Sequence, residues 1–126
     1  MKINPRCAHC LLTRVHYEAG LSTDDEQLLH EAIMAGIDVL NKTYRPGRPA
    51  GEISTAVHQK VYEVLGDNDP YLNLKKLSNE IAEDILPVAQ KRVYEGNPED
   101  RELFRRGILA SVIGNIFDFG VVGFDV

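Results

Sequence analysis

The sequence lacks the features that would place the protein in a membrane or on the secretory route. None of its apolar runs approaches the roughly 20 residues that a membrane-spanning helix needs. The first ten residues, MKINPRCAHC, have no apolar core of the kind that a signal peptide carries. We therefore expect a cytoplasmic protein that does not associate with a membrane.

Positive charge is in the minority. The chain has 14 lysines and arginines against 19 aspartates and glutamates, and its formal net charge is −5. An acidic chain is repelled by nucleic acid and by anionic lipid. We therefore expect that neither is its main partner.

Alternation of polar and apolar residues, which is typical of strands, is almost absent, and helical spacing takes its place. Five segments carry apolar residues at intervals of three and four. The sequence predicts an all-α fold, a compact bundle of about five helices over residues 1–120. The tail 121–126 contains Val121, Val122 and Phe124, which could open a strand, and we interpret it as the start of a linker or of a further domain.

The predicted helix ends have residues suited to capping. The predicted N-caps are Asn4, Thr23 (in a capping box with Glu26), Asp69 and Asn97. Gly20 and Gly66 are predicted to end the first and third helices. Pro87 falls inside the fourth apolar pattern and is expected to kink or split that helix.

Only two cysteines are present, and they form a C-x-x-C pair, Cys7 and Cys10, at the start of the first helix. Three interpretations remain open. The pair could hold zinc with further ligands brought in by the fold, although no second cysteine pair exists. It could be redox-active, because a thiolate is favoured in the first turn of a helix. It could also be a partly buried thiol pair without chemistry.

The last helix is apolar on most sides, yet it carries Asn115 and Asp118 on one face. Gly114 beside them would let a ligand or another backbone approach closely. A carboxylate in such a segment must be paired, bound to metal or in contact with water. One interpretation is a binding site, and the other is an ion pair of Asp118 with an arginine such as Arg105 or Arg106.

Three motifs together give the chain a family resemblance. They are CAHC near the N-terminus, DPY followed by Lys75 and Asn79, and GNIFDFG in the last helix. Their order resembles that of the damage-control metal-dependent phosphatases, long catalogued as domain of unknown function eighty-nine. The resemblance spans essentially the whole chain.

The resemblance implies a helical N-terminal domain followed by an α/β domain that begins near Val126. Family members remove phosphate from small phosphorylated metabolites with a divalent metal ion, held in the α/β domain by an Asp-Asn pair and a further aspartate. Asp67-Asn68 lies in a turn and does not match that motif. The chain is thus expected to be the substrate-capping domain and to be inactive alone, with the α/β domain supplied by the same or another chain.

The resemblance also implies roles for individual residues. Gly114, Asn115 and Asp118 are expected to face the cleft between the domains and contact substrate, and Lys75 is expected to contact the phosphate. Two other functions compete with this one. A freestanding helical interaction module would have a closed core, and a thiol-based metal or redox module would depend on Cys7 and Cys10. A capping domain, by contrast, should expose an apolar surface near Asn115 and Asp118.

Overall fold

The structure is a computed structural model that describes residues 1–114 of the 126-residue chain. Its five helices are α1 (Pro5–Ser22), α2 (Glu26–Thr43), α3 (Ala50–Leu65), α4 (Leu72–Tyr94) and α5 (Asp100–Gly114). Within residues 1–114 the β-structure amounts to one isolated bridge between Lys2 and Pro49. The predicted all-α fold of about five helices is confirmed. No helix in this part of the chain is long and apolar enough to cross a membrane.

The chain forms two compact units, one of residues 1–71 and one that begins at Leu72. The first unit contains α1, α2 and α3 and has a true core. Residues spaced by four along α1 and α3 supply most of it, because that spacing keeps side chains on one face of a helix. The buried apolar residues are Leu11, Val15, Ala19, Ala32, Leu40, Ile53, Val57 and Val61.

α2 approaches the other two helices at Gly36. A Cβ atom at this position would lie 3.4 Å from both γ-carbons of Val15 and 3.6 Å from a γ-carbon of Val61. Gly36 of α2 therefore faces Val15 of α1 and Val61 of α3 in the core. At one end of the unit, the N-terminal residues run beside the α2–α3 connection, where the Ile3 amide donates to the Arg48 carbonyl (2.9 Å).

The N-terminus of α1 begins as the sequence predicts. The Asn4 side chain accepts a hydrogen bond from the Arg6 amide at 2.9 Å, and Pro5 occupies the first helical position. The Asn4 amide in turn donates to the Cys7 sulfur at 3.4 Å. Cys7 thus takes the place that a glutamate fills in the usual capping box.

Two predicted helix ends between α1 and α2 are wrong. Gly20 lies inside α1, which continues to Ser22, and Thr23 is the C-cap of α1, not the N-cap of α2. Asp25 caps α2 instead, and its side chain accepts from the Gln27 amide at 2.9 Å. The physical reason is that Thr23 already serves α1, because its amide donates to the Ala19 carbonyl.

The later helix starts are also shifted. α4 begins at Leu72, so Asp69 and Pro70 lie in the preceding turn. Asn97 adopts a left-handed backbone (φ 48°) after Gly96, and α5 begins only at Asp100. Pro87 does not split α4, which is continuous from Leu72 to Tyr94. Gly66 does end α3, as predicted, and it adopts a left-handed backbone (φ 66°).

In the second unit, the side chain of one arginine on α5 hydrogen-bonds to the end of α4. Arg106 donates from Nε to Glu102 (2.9 Å) and from Nη1 to the Glu95 carbonyl (2.8 Å) at the end of α4. This contact satisfies a carbonyl that a helix end otherwise leaves to solvent. No side chain between residues 72 and 114 is buried, so this part of the unit has no buried core.

Replacing each of two glycines by alanine should change stability in opposite directions. Gly20→Ala should stabilise the first unit by about 0.5–1 kcal/mol, because alanine favours a helix and a Cβ there meets nothing within 4 Å. Gly66→Ala should destabilise it by about 1 kcal/mol, because its φ of 66° is strained for a residue with a side chain. Chemical denaturation measures both. A destabilising Gly20→Ala would contradict the helical assignment of that residue.

Candidate functional site

The predicted substrate-binding residues fall in the second unit or beyond the described residues. Lys75 is exposed in the first turns of α4, and Gly114 is the last residue of α5. Asn115 and Asp118 lie outside the described residues.

The two arginines considered as partners of Asp118 both contact Glu102, Arg105 through Nε at 2.8 Å and Arg106 through Nε at 2.9 Å. These contacts lower the pKa of the Glu102 carboxyl to about 2.

The two thiols are free in the structure. Cys7 is partly buried and Cys10 is exposed. Among residues 1–114 there is no group of three or more histidine, cysteine, aspartate or glutamate side chains arranged to hold a metal ion. The zinc interpretation of Cys7 and Cys10 therefore rests on the two thiols alone and stays a prediction, as does the redox interpretation.

An open apolar groove runs between α4 and α5. Its volume is about 590 Å³, and Gly114 lies on its wall. The large side chains that line it include Ile85, Leu86, Val93, Leu109 and Ile113. Since Gly114 borders the groove, the described part of the predicted GNIFDFG site lies next to apolar surface.

α5 exposes further apolar side chains beside those that line the groove. Phe104, Ile108 and Val112 recur at every fourth residue and are 72%, 48% and 63% exposed. Together with Gly107 and Ser111 they border a further shallow hollow of about 510 Å³. α5 thus presents apolar side chains on two faces, which is the character of a helix that is enclosed on most sides.

Within residues 1–114, the most buried charged side chain is Glu18 of α1. Its side chain is 1% exposed, and His58 on α3 lies 2.7 Å away through Nδ1. A carboxylate only accepts hydrogen bonds, so Nδ1–H is the donor. The hydroxyls of Tyr62 (3.2 Å) and Tyr71 (3.4 Å) donate to the other carboxylate oxygen, Oε2.

The two tyrosines of this cluster are held in their neutral, donating form. Burial and the negative charge of Glu18 raise the pKa of Tyr62. Burial also raises the pKa of Tyr71, to about 12, with the Arg14 guanidinium opposing the shift and Glu18 adding to it. The Arg14 guanidinium carbon lies 5.6 Å from the centre of the Tyr71 ring, which is within reach of a cation–π contact.

Sequence reasoning missed this cluster, although a signal was present. Glu18 follows Leu11 by seven residues and Val15 by three, so it belongs on the apolar face of α1. Its partners are 40 to 53 positions away in the chain and only the fold brings them together. Tyr71 of the DPY motif precedes α4, and its hydroxyl contacts Glu18.

Comparison with known proteins identifies the family. Residues 3–126 match the damage-control phosphatase ARMT1-like domain. The chain belongs to this family. It is 40% identical over its whole length to the damage-control phosphatase of Archaeoglobus fulgidus and 32% identical over 120 residues to the uncharacterized protein MJ0202 of Methanocaldococcus jannaschii. The resemblance inferred from CAHC, DPY and GNIFDFG is therefore confirmed.

The match covers only part of each relative. The chain spans 42% of the Archaeoglobus protein and 39% of the Methanocaldococcus protein, and it corresponds to their N-terminal portion. A crystal structure of a DUF89 family protein from Pyrococcus horikoshii has the same fold over 94% of this chain and 46% of its own, with a TM-score of 0.60 at 18% identity. The chain thus corresponds to somewhat less than half of that structure.

Alkaline titration should separate Tyr62 and Tyr71 from the other tyrosines. We expect both to ionise well above pH 10, Tyr71 near pH 12, and to shift toward pH 10 in Glu18→Gln, because the negative charge beside them is gone. In the unfolded chain, the tyrosine hydroxyls ionise at about pH 10. The stability that these neutral hydroxyls contribute is therefore complete below pH 10 and is lost progressively as the pH rises above 10, over the interval from pH 10 to about 12 for Tyr71.

The ultraviolet absorbance of tyrosinate measures this titration, with circular dichroism as the check that the protein is still folded. Glu63→Gln is the matched control, because Glu63 lies on the same helix as Tyr62 but is exposed and pairs with Lys60. Simultaneous ionisation of all five tyrosines near pH 10 in the folded protein would contradict the burial and charge assigned to the Glu18 cluster.

Proposed function

We propose that this chain is the helical, substrate-capping domain of a metal-dependent phosphatase that acts on small phosphorylated metabolites, and that it is inactive alone. Family membership and the two-fifths coverage of the relatives support a partial domain. The observation that carries the proposal is the uncovered apolar surface of α4 and α5. A capping domain presents such a surface to the rest of its enzyme.

Within residues 72–114, the second unit leaves most of its large apolar side chains exposed. Its exposed large side chains are Leu72, Leu77, Ile85, Leu86, Val88, Tyr94, Phe104, Ile108, Leu109, Val112 and Ile113. Two helices in contact along one side leave their remaining faces open to water. Apolar patches of this extent usually mark a surface that another domain or protein covers. A freestanding module would instead be expected to have a closed core, so this surface favours the capping domain.

The metal ion of the proposed reaction has no ligand set among residues 1–114. We therefore assign its binding to the α/β domain that the proposal requires, in the same or another chain. When bound, a divalent ion of this kind polarises the phosphoryl group and activates the attacking oxygen. The residues of this chain are assigned to substrate binding and to the exclusion of water.

The proposed substrate contacts follow from side-chain chemistry. The Lys75 ammonium can donate to the oxygens of a phosphate dianion. The Asn115 amide can donate to phosphate or to a sugar hydroxyl, and Asp118 can orient the ligand. Gly114 leaves room for the substrate at the wall of the groove. Cytoplasmic location and the role of the C-x-x-C pair stay predictions beside this proposal.

Metal-dependent hydrolysis of p-nitrophenyl phosphate tests the proposal. The 126-residue chain should show no activity above buffer with any divalent ion, whereas the native protein, captured from its source cells with an antibody to this chain, should be active and should lose activity to a chelator. Turnover by the purified 126-residue chain would contradict the assignment of the metal site to another domain.

The same assay tests Lys75 in the active protein. Lys75→Gln should raise KM about tenfold, because it removes one charge-assisted contact to phosphate. Lys76→Gln is the matched control, since Lys76 is the next residue of α4, is also exposed, and is not assigned a contact. Equal KM values for the two variants would show that Lys75 does not bind the substrate.

A further inference from the structure

The groove between α4 and α5 is an elongated concave surface. The two helices are joined by the short connection 95–99, and such connections make helices antiparallel neighbours. α4 lines the groove from Ala82 to Val93, a length of about 17 Å or three helical turns. α5 lines the other side from Arg106 to Gly114, and the volume of the groove is about 590 Å³. A rod-shaped occupant of similar length therefore matches this surface.

The surface of the groove is apolar along most of its length. Its large side chains are between 39% and 57% exposed at Ile85, Leu86, Val88, Leu109 and Ile113. No aspartate or glutamate is among the described residues that line it. Covering these side chains would therefore be favourable through the hydrophobic effect.

Positive charge is confined to one end of the groove. Arg92 and Arg106 lie near the connection between the helices, and Gly114 lies at the opposite end. Arg106 is already engaged by a carboxylate of α5 and by carbonyls at the end of α4. The Arg92 side chain is exposed, and its guanidinium has no hydrogen bond or ion pair to any of residues 1–114. An occupant that covers this end would bury a positive charge, which is costly unless the occupant brings a negative charge to it.

The kind of backbone that can lie in the groove is also restricted. The amides and carbonyls of α4 and α5 are bonded within each helix, so the walls of the groove offer no backbone partners. An extended peptide would leave its own polar backbone groups without partners against apolar side chains. A helix satisfies its own backbone and presents apolar side chains at intervals of three and four. A third helix laid along two antiparallel helices also gives the bundle packing that buries such side chains.

A second copy of this chain would match the groove less well. Groove against groove would set one concave surface on another and leave the centre unfilled. The lining also contributes no carboxylate to meet Arg92. The chain spans only 42% of the Archaeoglobus relative, so an enzyme of that length has a further part from which a helix can come.

We propose that the groove between α4 and α5 holds one amphipathic helix from the remaining part of the enzyme, and that this helix places a carboxylate beside Arg92. The inference rests on the proposed function, which assigns the cover of α4 and α5 to that part. It adds the kind of element, its place along the groove and the charge that sets its register. The substrate contact assigned to Gly114 then lies beside the end of this helix that is away from Arg92.

Photocrosslinking of the native protein tests which element lies in the groove. In the Ile85→p-benzoylphenylalanine variant, the crosslinked peptide is sequenced by mass spectrometry. We expect one peptide from outside residues 1–126, with apolar residues at intervals of three and four and an aspartate or glutamate at one end. Asp84→p-benzoylphenylalanine is the matched control and should not label that peptide, because Asp84 is also exposed on α4 but does not line the groove.

A charge exchange tests the register of the helix. In Arg92→Glu, the amides of residues 82–93 and of the crosslinked peptide should exchange with deuterium about tenfold faster than in the wild type, as expected for the loss of a charged hydrogen bond. Lys91→Glu is the matched control, because it reverses the charge of a neighbouring exposed residue that does not line the groove. Replacing the carboxylate of the crosslinked peptide by lysine in the Arg92→Glu protein should restore the wild-type rate.

The proposal is overturned if the Ile85 variant labels nothing, or labels a peptide within residues 1–126 of the same chain or of a second copy. It is overturned equally if Arg92→Glu and Lys91→Glu exchange alike. Hydrolysis of p-nitrophenyl phosphate by the same native protein separates this failure from that of the proposed function. Metal-dependent activity without a helix in the groove refutes the inference alone, whereas a crosslinked helix without such activity refutes the proposed activity and leaves the helix in place.

Discussion

The first unit depends on partners for one buried carboxylate. Glu18 occupies a position on the apolar face of α1, where a charge without partners would be strongly destabilising. Its partners come from two other places, His58 and Tyr62 on α3 and Tyr71 in the segment between α3 and α4. Beside the apolar core, one side chain of α1 therefore links α1 both to α3 and to the residue that precedes α4. Every buried side-chain nitrogen and oxygen within residues 1–114 has a hydrogen-bond partner.

In the second unit the feature that needs covering is exposed apolar surface, whereas in the first unit it is a buried charge. Its polar contacts are well made, since Glu102 and Arg106 tie α5 to itself and to the end of α4. Its large apolar side chains within residues 72–114, however, are mostly exposed. A helical pair of this composition gains little from the hydrophobic effect until something covers it. The chain matches only the first two fifths of the longer proteins of its family, and we propose that the remaining part of such a protein covers these helices.

Local signals were enough to predict the helices, and non-local contacts explain what was missed. Asn4 and Gly66 were predicted correctly because capping and a left-handed glycine depend on adjacent residues. The prediction for Gly20 was wrong because α1 continues through it to Ser22, and the prediction for Thr23 was wrong because Thr23 is the C-cap of α1. The Glu18 cluster joins residues 40 to 53 positions apart, which periodicity does not reveal. Asn115 and Asp118 lie outside the described residues and remain predictions from the family resemblance.

The size of the native protein tests the central claim most directly, which is that α4 and α5 form an internal surface of a longer enzyme. An antibody to residues 1–71 would detect the protein in its source cells, and denaturing and native mass would be read on the same sample. The account predicts a polypeptide well above 14.1 kDa, or a 14.1 kDa chain in a stable complex with a second chain. A monomer of 14.1 kDa would contradict it, because the apolar faces of α4 and α5 would then have no covering domain.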